Sequence, residues 1–194
     1  GLTANNATHT GFNFKKFYSD LSEYDDYWDA ARNFPVLRYA EVLLTYAEAK
    51  NELAGLDASA FDAVNQVRRR VGMPELQNSD ASKPTYCATQ DDLRQRIRNE
   101  WRVEFALEGG KRQWDIRRWG IAMDVMNKPR LGLKYELVES PEAKEGDGGL
   151  ICILYQGDKQ AVGEATAYKE HNYLYPVPQK EIDLNPNLTQ NPGY

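Results

Sequence analysis

Three glutamates that could perform acid/base chemistry recur at steps of four residues, at positions 100, 104 and 108 in the segment NEWRVEFALEGG. On a helix this spacing places their carboxylates along one face. Paired carboxylates hydrolyse glycosidic bonds when one acts as a general acid and the other as a nucleophile or base. The segment therefore raises the hypothesis of a glycosidase-type active site built on one helix.

The arginines around these glutamates favour a different interpretation. Ten arginines lie between Arg68 and Arg118. A neighbouring cation lowers the pKa of a carboxyl group, whereas a general acid needs a raised pKa. Partly buried carboxylates need counter-charges, and a guanidinium can bind a carboxylate through two parallel hydrogen bonds. We therefore expect an ion-paired helical core here, with catalysis by Glu104 as the less favoured alternative.

Few other residues could carry chemistry. The two histidines, His9 and His171, have no cysteine or carboxylate at a spacing typical of a metal site or a catalytic triad. No phosphate-binding or dinucleotide-binding glycine pattern is present. The net charge of −5 makes nucleic acid a poor partner, because a surface that binds it must be basic. We expect no cofactor, no metal and no nucleic acid.

Cysteine content and hydropathy give little information about the compartment. Only Cys87 and Cys152 are present, too few for a disulfide framework, and their spacing leaves a single bridge open. No apolar run approaches the roughly eighteen residues of a membrane helix. The first residues, GLTANNATHTGFNFKKF, lack the apolar stretch of a signal peptide.

Apolar periodicity predicts two helices after residue 35. The first spans about residues 36–53 and ends before Gly55. The second follows a cap at Asp57 and stops at Gly72 and Pro74. Short connections between helices favour antiparallel neighbours, so these two form an αα-hairpin.

Two further helices are predicted between residues 89 and 126. Thr89 and Asp92 have the spacing of a capping box and open the third helix, which should end at the glycine pair 109–110. The fourth should run from about residue 112 to residue 126. The resulting pairs are similar to tetratricopeptide helix pairs, although the sequence has no strict repeat period.

Beyond the helices the pattern changes to short β-like runs, LKYELVE (133–139) and LICILYQ (150–156), which predict a hairpin. The segment 173–194 contains four prolines and should be extended and packed on the helices. An exposed proline-rich ligand for another domain is the alternative. The predicted fold is mostly α: tetratricopeptide-like αα-hairpins with a small inserted β-hairpin and an extended, proline-containing C-terminal tail.

Four segments together resemble the C-terminal part of the SusD/RagB family and occur in that family's order. They are PVLRYAEVLLTYAEAKNE (35–52), AVNQVRRRVGMP (63–74), IRNEWRVEFALEGGKRQWDIRRWG (97–120) and YLYPVPQKEIDLNPNLTQNPGY (173–194). The family usually has two arginines where this chain has Trp101 and Arg102, which puts one ion pair in doubt.

The resemblance implies one SusD-like C-terminal domain over residues 1–194. Its parts would be a variable aromatic segment (1–34), the helical scaffold (35–127), an insertion (128–172) and the extended tail (173–194). Proteins of this family are much longer and begin with a lipoprotein signal that ends in an acylated cysteine. This chain contains neither feature, so the resemblance covers only the C-terminal portion.

The resemblance also implies a function. Members are nutrient-binding lipoproteins on the outer membrane surface of Gram-negative gut-type bacteria, where they act in starch and glycan utilisation. They form a lid on a SusC-like TonB-dependent transporter, to which they pass oligosaccharides, or peptides in RagB-like relatives. They are not enzymes and need no cofactor. A protein-docking scaffold without a glycan site is the alternative for this chain.

The motif residues of the family belong to its scaffold. The resemblance therefore assigns an ion-paired structural core to Arg38, Glu41, Glu48, Arg68, Arg70, Glu100, Arg102, Glu104, Glu108, Arg112, Asp115, Arg118 and Trp119.

Ligand contacts in the family lie on variable loops, so a sugar site must be sought from chemistry. Sugars stack on exposed aromatic rings while polar side chains bind their hydroxyls. The segment FKKFYSDLSEYDDYWDAARN (14–33) combines both, and Tyr24, Tyr27 and Trp28 are the candidate carbohydrate-binding residues. Packing of these rings on the helices is the alternative. Weaker candidates are Tyr135, Tyr155 and Tyr168.

Overall fold

The structure, a computed structural model, describes residues 10, 12, 16, 35–143 and 149–194. The described residues belong to two compact units. We call residues 35–115 the helical unit and residues 116–194, with the three isolated N-terminal positions, the mixed unit. None of the described helices combines the length and the apolar character of a membrane-spanning segment.

The helical unit is built on an antiparallel hairpin of α1 (Tyr39–Ala54) and α2 (Ala58–Arg70). The turn between them uses Gly55, whose φ of 72° favours glycine. The Asp57 side chain then caps α2 by accepting a 2.8 Å hydrogen bond from the Ser59 N–H. Both turn signals were predicted from the sequence, and the helix pair is confirmed.

Helix α2 ends at a Schellman motif around Gly72, where φ is 70°. The Met73 N–H donates to the Arg68 carbonyl at 3.0 Å, and the Gly72 N–H donates to the Arg69 carbonyl at 3.1 Å. The chain then returns along α2, where the buried Asn65 amide binds both backbone groups of Leu76. The predicted stop at Gly72 is confirmed.

Helix α3 (Gln90–Glu104) packs against α1 and begins with the predicted capping box. The Asp92 N–H donates to Thr89 Oγ1 at 3.1 Å, while the Thr89 N–H donates to Asp92 Oδ2 at 2.9 Å. The helix ends one turn earlier than predicted, because Leu107 adopts a left-handed φ of 65° before the glycine pair. A turn over residues 105–110 therefore separates α3 from α4 (Lys111–Arg118).

The core of the helical unit holds one free thiol. Cys87 is fully buried and forms no disulfide, so the bridge that the sequence left open does not form. Burial raises the pKa of the Cys87 thiol above its ordinary value. The other members of this core are Ala40, Leu44, Ala47, Ala60, Phe61, Ala63, Val64, Val67, Leu76, Leu93, Ile97, Trp101 and Phe105.

The prediction of one helix from residue 112 to residue 126 is wrong. Helix α4 ends at a second Schellman motif, in which the Ile121 N–H donates to the Ile116 carbonyl at 2.9 Å. Gly120 supplies the left-handed residue, with φ of 67°. A short helix α5 (Ala122–Met126) follows at once. The apolar period continued across the break, so periodicity alone missed it.

The rest of the mixed unit is a β-hairpin and a tail. Strands β1 (Arg130–Glu139) and β2 (Leu150–Gly163) pair in antiparallel register with two irregularities. A 3-10 turn (Glu170–Tyr173) leads into the tail, which contains a short helix α6 (Gln179–Leu184) within otherwise extended chain. The helix was not predicted, because Pro178 stands at its N-cap and was interpreted as extended chain. The fold class predicted from the sequence is otherwise confirmed.

Thr89→Ala should lower the free energy of unfolding by about 1 kcal/mol, since it leaves a donor of the first turn of α3 without its cap. Thr45→Ala is the matched control, because Thr45 is exposed within α1 and alanine is a better helix former. Urea unfolding followed by circular dichroism measures both. Equal stability of the two variants would contradict a stabilising cap.

Candidate functional site

Glu100 and Glu104 on α3 and Glu108 in the turn after it form a glutamate row, and Arg38 at the N-cap of α1 binds the last two of them. The Arg38 Nε and Nη2 each donate to one oxygen of Glu108 at 2.8 Å, a bidentate pair. The Arg38 Nη1 donates to Glu104 Oε1 at 2.6 Å. Glu108 is 2% exposed, so its charge depends on this pairing. The hydrogen bond from Arg38 to Glu108 is the main cause of the raised pKa of this guanidinium.

Two arginines at the end of α2 complete the pairing of the row. Arg70 Nη2 donates to both carboxylate oxygens of Glu104, at 2.8 and 2.7 Å. The buried Arg68 binds Glu100 and also donates from Nε to the Pro74 carbonyl at 2.7 Å. All three carboxylates of the row are therefore held by guanidinium groups. We call these residues of the helical unit, with Glu41 and Lys111, the arginine–glutamate cluster.

Phe105 carries the apolar part of the cluster. Its ring lies 4.8 Å from Arg38 Cζ and 5.4 Å from Lys111 Nζ, and it packs 5.0 Å from the Trp101 ring. Lys111 in turn binds Glu41 at 2.7 Å. Sequence analysis did not identify Lys111, because its partner lies 70 residues away in the chain.

The remaining residues assigned to the ion-paired core lie elsewhere. Arg102 binds the Asn99 side chain at 2.8 Å, Asp115 is buried and Glu48 is half-buried. Burial lowers the pKa of the half-buried Arg112. Arg118 and Trp119 belong to the mixed unit, where the guanidinium lies 4.7 Å from the indole ring.

The residues proposed to contact sugar cannot be placed in the same way. Tyr24, Tyr27 and Trp28 lie outside the described residues. Of the weaker candidates, Tyr135 on β1 and Tyr168 between β2 and the 3-10 turn are half-buried, and the Tyr155 side chain is outside the described part.

An open cleft of about 480 Å³ lies in the mixed unit. Its lining combines charged groups, a thioether and one phenol: Arg117, Arg118, Gly120, Met123, Asp124, Glu170 and Tyr173. These residues come from α4, from the turn at Gly120, from α5 and from the 3-10 turn. Except for Arg118, sequence analysis did not select them, because no motif or spacing joins segments 50 residues apart.

Arg117 fixes one wall of this cleft. Its Nη1 donates to the Tyr175 hydroxyl at 2.6 Å and its Nε to the Tyr168 hydroxyl at 3.3 Å. These hydrogen bonds, with Tyr168 first, raise the pKa of the Arg117 guanidinium. The Tyr168 hydroxyl also donates to the Asn172 carbonyl at 2.8 Å. The turn that carries Glu170 and Tyr173 is therefore tied to the end of α4.

Arg38→Met should lower the free energy of unfolding by about 3 kcal/mol, because Glu108 stays buried without its bidentate partner. Arg69→Met is the matched control, since Arg69 pairs with two half-exposed carboxylates and should cost less than about 1 kcal/mol. Denaturant unfolding of both variants measures the difference. Adding Glu108→Gln to Arg38→Met should recover part of the loss, and a loss confined to Arg69→Met would refute the assignment.

Comparison with known proteins agrees with this architecture. A profile described as the SusD family matches residues 2–194. "SusD-like protein P2" of Formosa agariphila is 31% identical over 169 residues, which are 86% of this chain and 27% of that protein. "Starch-binding protein SusD" of Bacteroides thetaiotaomicron is 27% identical over 162 residues, or 84% of this chain and 22% of that protein.

A solved structure is also similar. That of "selenomethionine BT4246" superposes with a TM-score of 0.64 at 29% identity, over 86% of this chain and 25% of that one. The chain thus spans about a quarter of the length of the relatives it matches. Because the family profile extends over almost all of its residues, the chain belongs to the SusD family.

Proposed function

We propose that this chain is part of a non-catalytic protein that binds oligosaccharides at the cell surface and passes them to a SusC-like TonB-dependent transporter. The match of the SusD family profile to residues 2–194 carries this proposal. The name of one relative, a starch-binding protein, supports a carbohydrate ligand. The location that fits this task is the surface of the outer membrane, where the protein would be held as a lipoprotein.

The arginine–glutamate cluster supports binding without catalysis. Glycoside hydrolysis needs one carboxyl group that holds a proton and a second that faces the sugar. Glu108 is instead buried and Glu104 half-buried, and both carboxylates face Arg38. Neither lines the cleft of the mixed unit. We assign the cluster to stability. The unmodified protein should therefore release no sugar product from a panel of polysaccharides, and Glu104→Gln should change only the free energy of unfolding.

We keep Tyr24, Tyr27 and Trp28 as proposed sugar contacts. Trp28→Ala in the full-length protein should weaken glycan binding about fivefold to tenfold, because an aromatic contact contributes about 1 kcal/mol beyond its buried area. Trp114→Ala is the matched control, since this indole is 58% exposed on α4. Retardation in native gels that contain a polysaccharide, with melting curves to verify folding, measures both variants.

The outcomes separate the candidate functions. Unchanged retardation of Trp28→Ala would remove Trp28 from the site. Capture of a SusC-like transporter without retardation by any polysaccharide would favour a protein-docking scaffold. Binding of peptides in place of glycans would assign the chain to a RagB-like ligand class.

A further inference from the structure

We propose that the cleft of the mixed unit is a second sugar subsite, which accepts a neutral oligosaccharide through adjacent hydroxyl groups. We call it the Asp124–Glu170 cleft after its two carboxylates. The inference rests on the proposed function, since it assumes a carbohydrate ligand, and it assigns contacts that no family motif contains.

The two carboxylates of the cleft are available to a ligand. Asp124 and Glu170 are exposed, and neither side chain forms a hydrogen bond or an ion pair with another residue in the described part of the chain. An ionised carboxylate accepts hydrogen bonds at both oxygens. Two neighbouring hydroxyls of a sugar ring can therefore bind one carboxylate, which makes such groups suitable acceptors for sugars.

Guanidinium groups supply the opposite polarity. Arg117 and Arg118 line the same cleft. Arg117 directs its nitrogens to Tyr168, Tyr175 and the Asn172 carbonyl and contributes positive charge, whereas the Arg118 guanidinium offers planar N–H donors for hydroxyl oxygens. Arg118 is exposed, and its guanidinium lies 4.7 Å from the Trp119 ring. Each sugar hydroxyl is both a hydrogen-bond donor and a hydrogen-bond acceptor. A cleft that presents donors and acceptors therefore matches it better than a cleft that presents only one of them.

Apolar surface is present between the charged groups. Met123 is 36% exposed and the half-buried Tyr173 packs edge-on against Tyr168 at 5.5 Å. The Met123 N–H donates to the Tyr173 hydroxyl at 3.4 Å. The C–H faces of a pyranose can pack on such a surface while its rim hydroxyls meet the charges.

The cleft is held in shape without a ligand. Arg117 binds Tyr168 and Tyr175, and the Asn127 side chain binds the backbone of Tyr168 in both directions, at 2.8 and 3.0 Å. Groups that are already ordered lose less entropy when a ligand binds. This saving in entropy matters because each hydrogen bond from the cleft to a sugar replaces one to water and so contributes little net free energy.

Charge selects a neutral sugar over an acidic or amino sugar. The formal charges of the two carboxylates and the two guanidinium groups sum to zero, so the cleft offers no net attraction to uronate, sulfate or protonated amine groups. The volume of about 480 Å³ lies within the usual range of ligand clefts and exceeds that of a single small ion.

Calorimetric titration of the full-length protein tests the inference. The probes are maltohexaose, xylohexaose and laminarihexaose as neutral sugars, and oligogalacturonate as the acidic one. The double variant Asp124→Asn/Glu170→Gln should bind the neutral hexasaccharide that the wild type prefers about tenfold more weakly, because it loses charged acceptors without losing volume.

The matched control is Glu164→Gln/Glu181→Gln, which removes two exposed carboxylates from the same unit outside the cleft and should bind within twofold of the wild type. Hydrogen exchange gives a readout without mutation: the preferred hexasaccharide should slow exchange over residues 117–124 and 168–175.

Failure of this inference is distinguishable from failure of the proposed function. Wild-type binding that both double variants share, with no protection of either segment, overturns the subsite and leaves the function standing. Tighter binding of oligogalacturonate than of every neutral probe also overturns it. Absence of binding to all four probes by the wild type counts against the proposed function and removes the subsite with it.

Discussion

The helical unit depends on the pairing of Arg38 with Glu104 and Glu108. A carboxylate that is 2% exposed is stable only when another group replaces its water, and Arg38 does so through two hydrogen bonds. The same guanidinium donates to the Glu104 side chain and to the Glu104 carbonyl at the end of α3. One side chain thereby joins the start of α1 to a turn 70 residues later in the chain.

The turn over residues 105–110 explains why this pairing is needed. Leu107 and the following glycines have positive φ values, so the chain leaves the helical path and turns Glu108 inward. Glu108 and Arg112 are four residues apart, and the turn removes the helical geometry that would let such neighbours pair. The structure pairs Glu108 with Arg38 instead. Local strain at Leu107 is therefore tied to a long-range ion pair.

Sequence signals that depend on neighbouring residues predicted most of the fold, whereas contacts between residues far apart in the chain were not predicted. The caps at Asp57 and Thr89, the stop at Gly72 and the hairpin depend on neighbouring residues, and each follows from a known backbone preference. The break at Gly120 was missed because glycine is tolerated within a helix and the apolar period did not change there. The partner of Glu41 and the members of the cleft were missed because spacing carries no information about contacts between distant segments.

The two units place the same chemical groups in opposite environments. In the helical unit, burial forces Glu108 to pair with a guanidinium and leaves its side chain only 1% exposed, out of reach of a ligand. In the mixed unit, Asp124 and Glu170 stay hydrated, and water is a partner that a sugar hydroxyl can replace at low cost. Exposure, and not residue type, therefore decides whether a carboxylate supports the fold or can contact a ligand. A charged, aromatic-rich sequence can belong to a binding protein without containing an acid/base pair, because its most prominent carboxylates are those already used to hold the helices together.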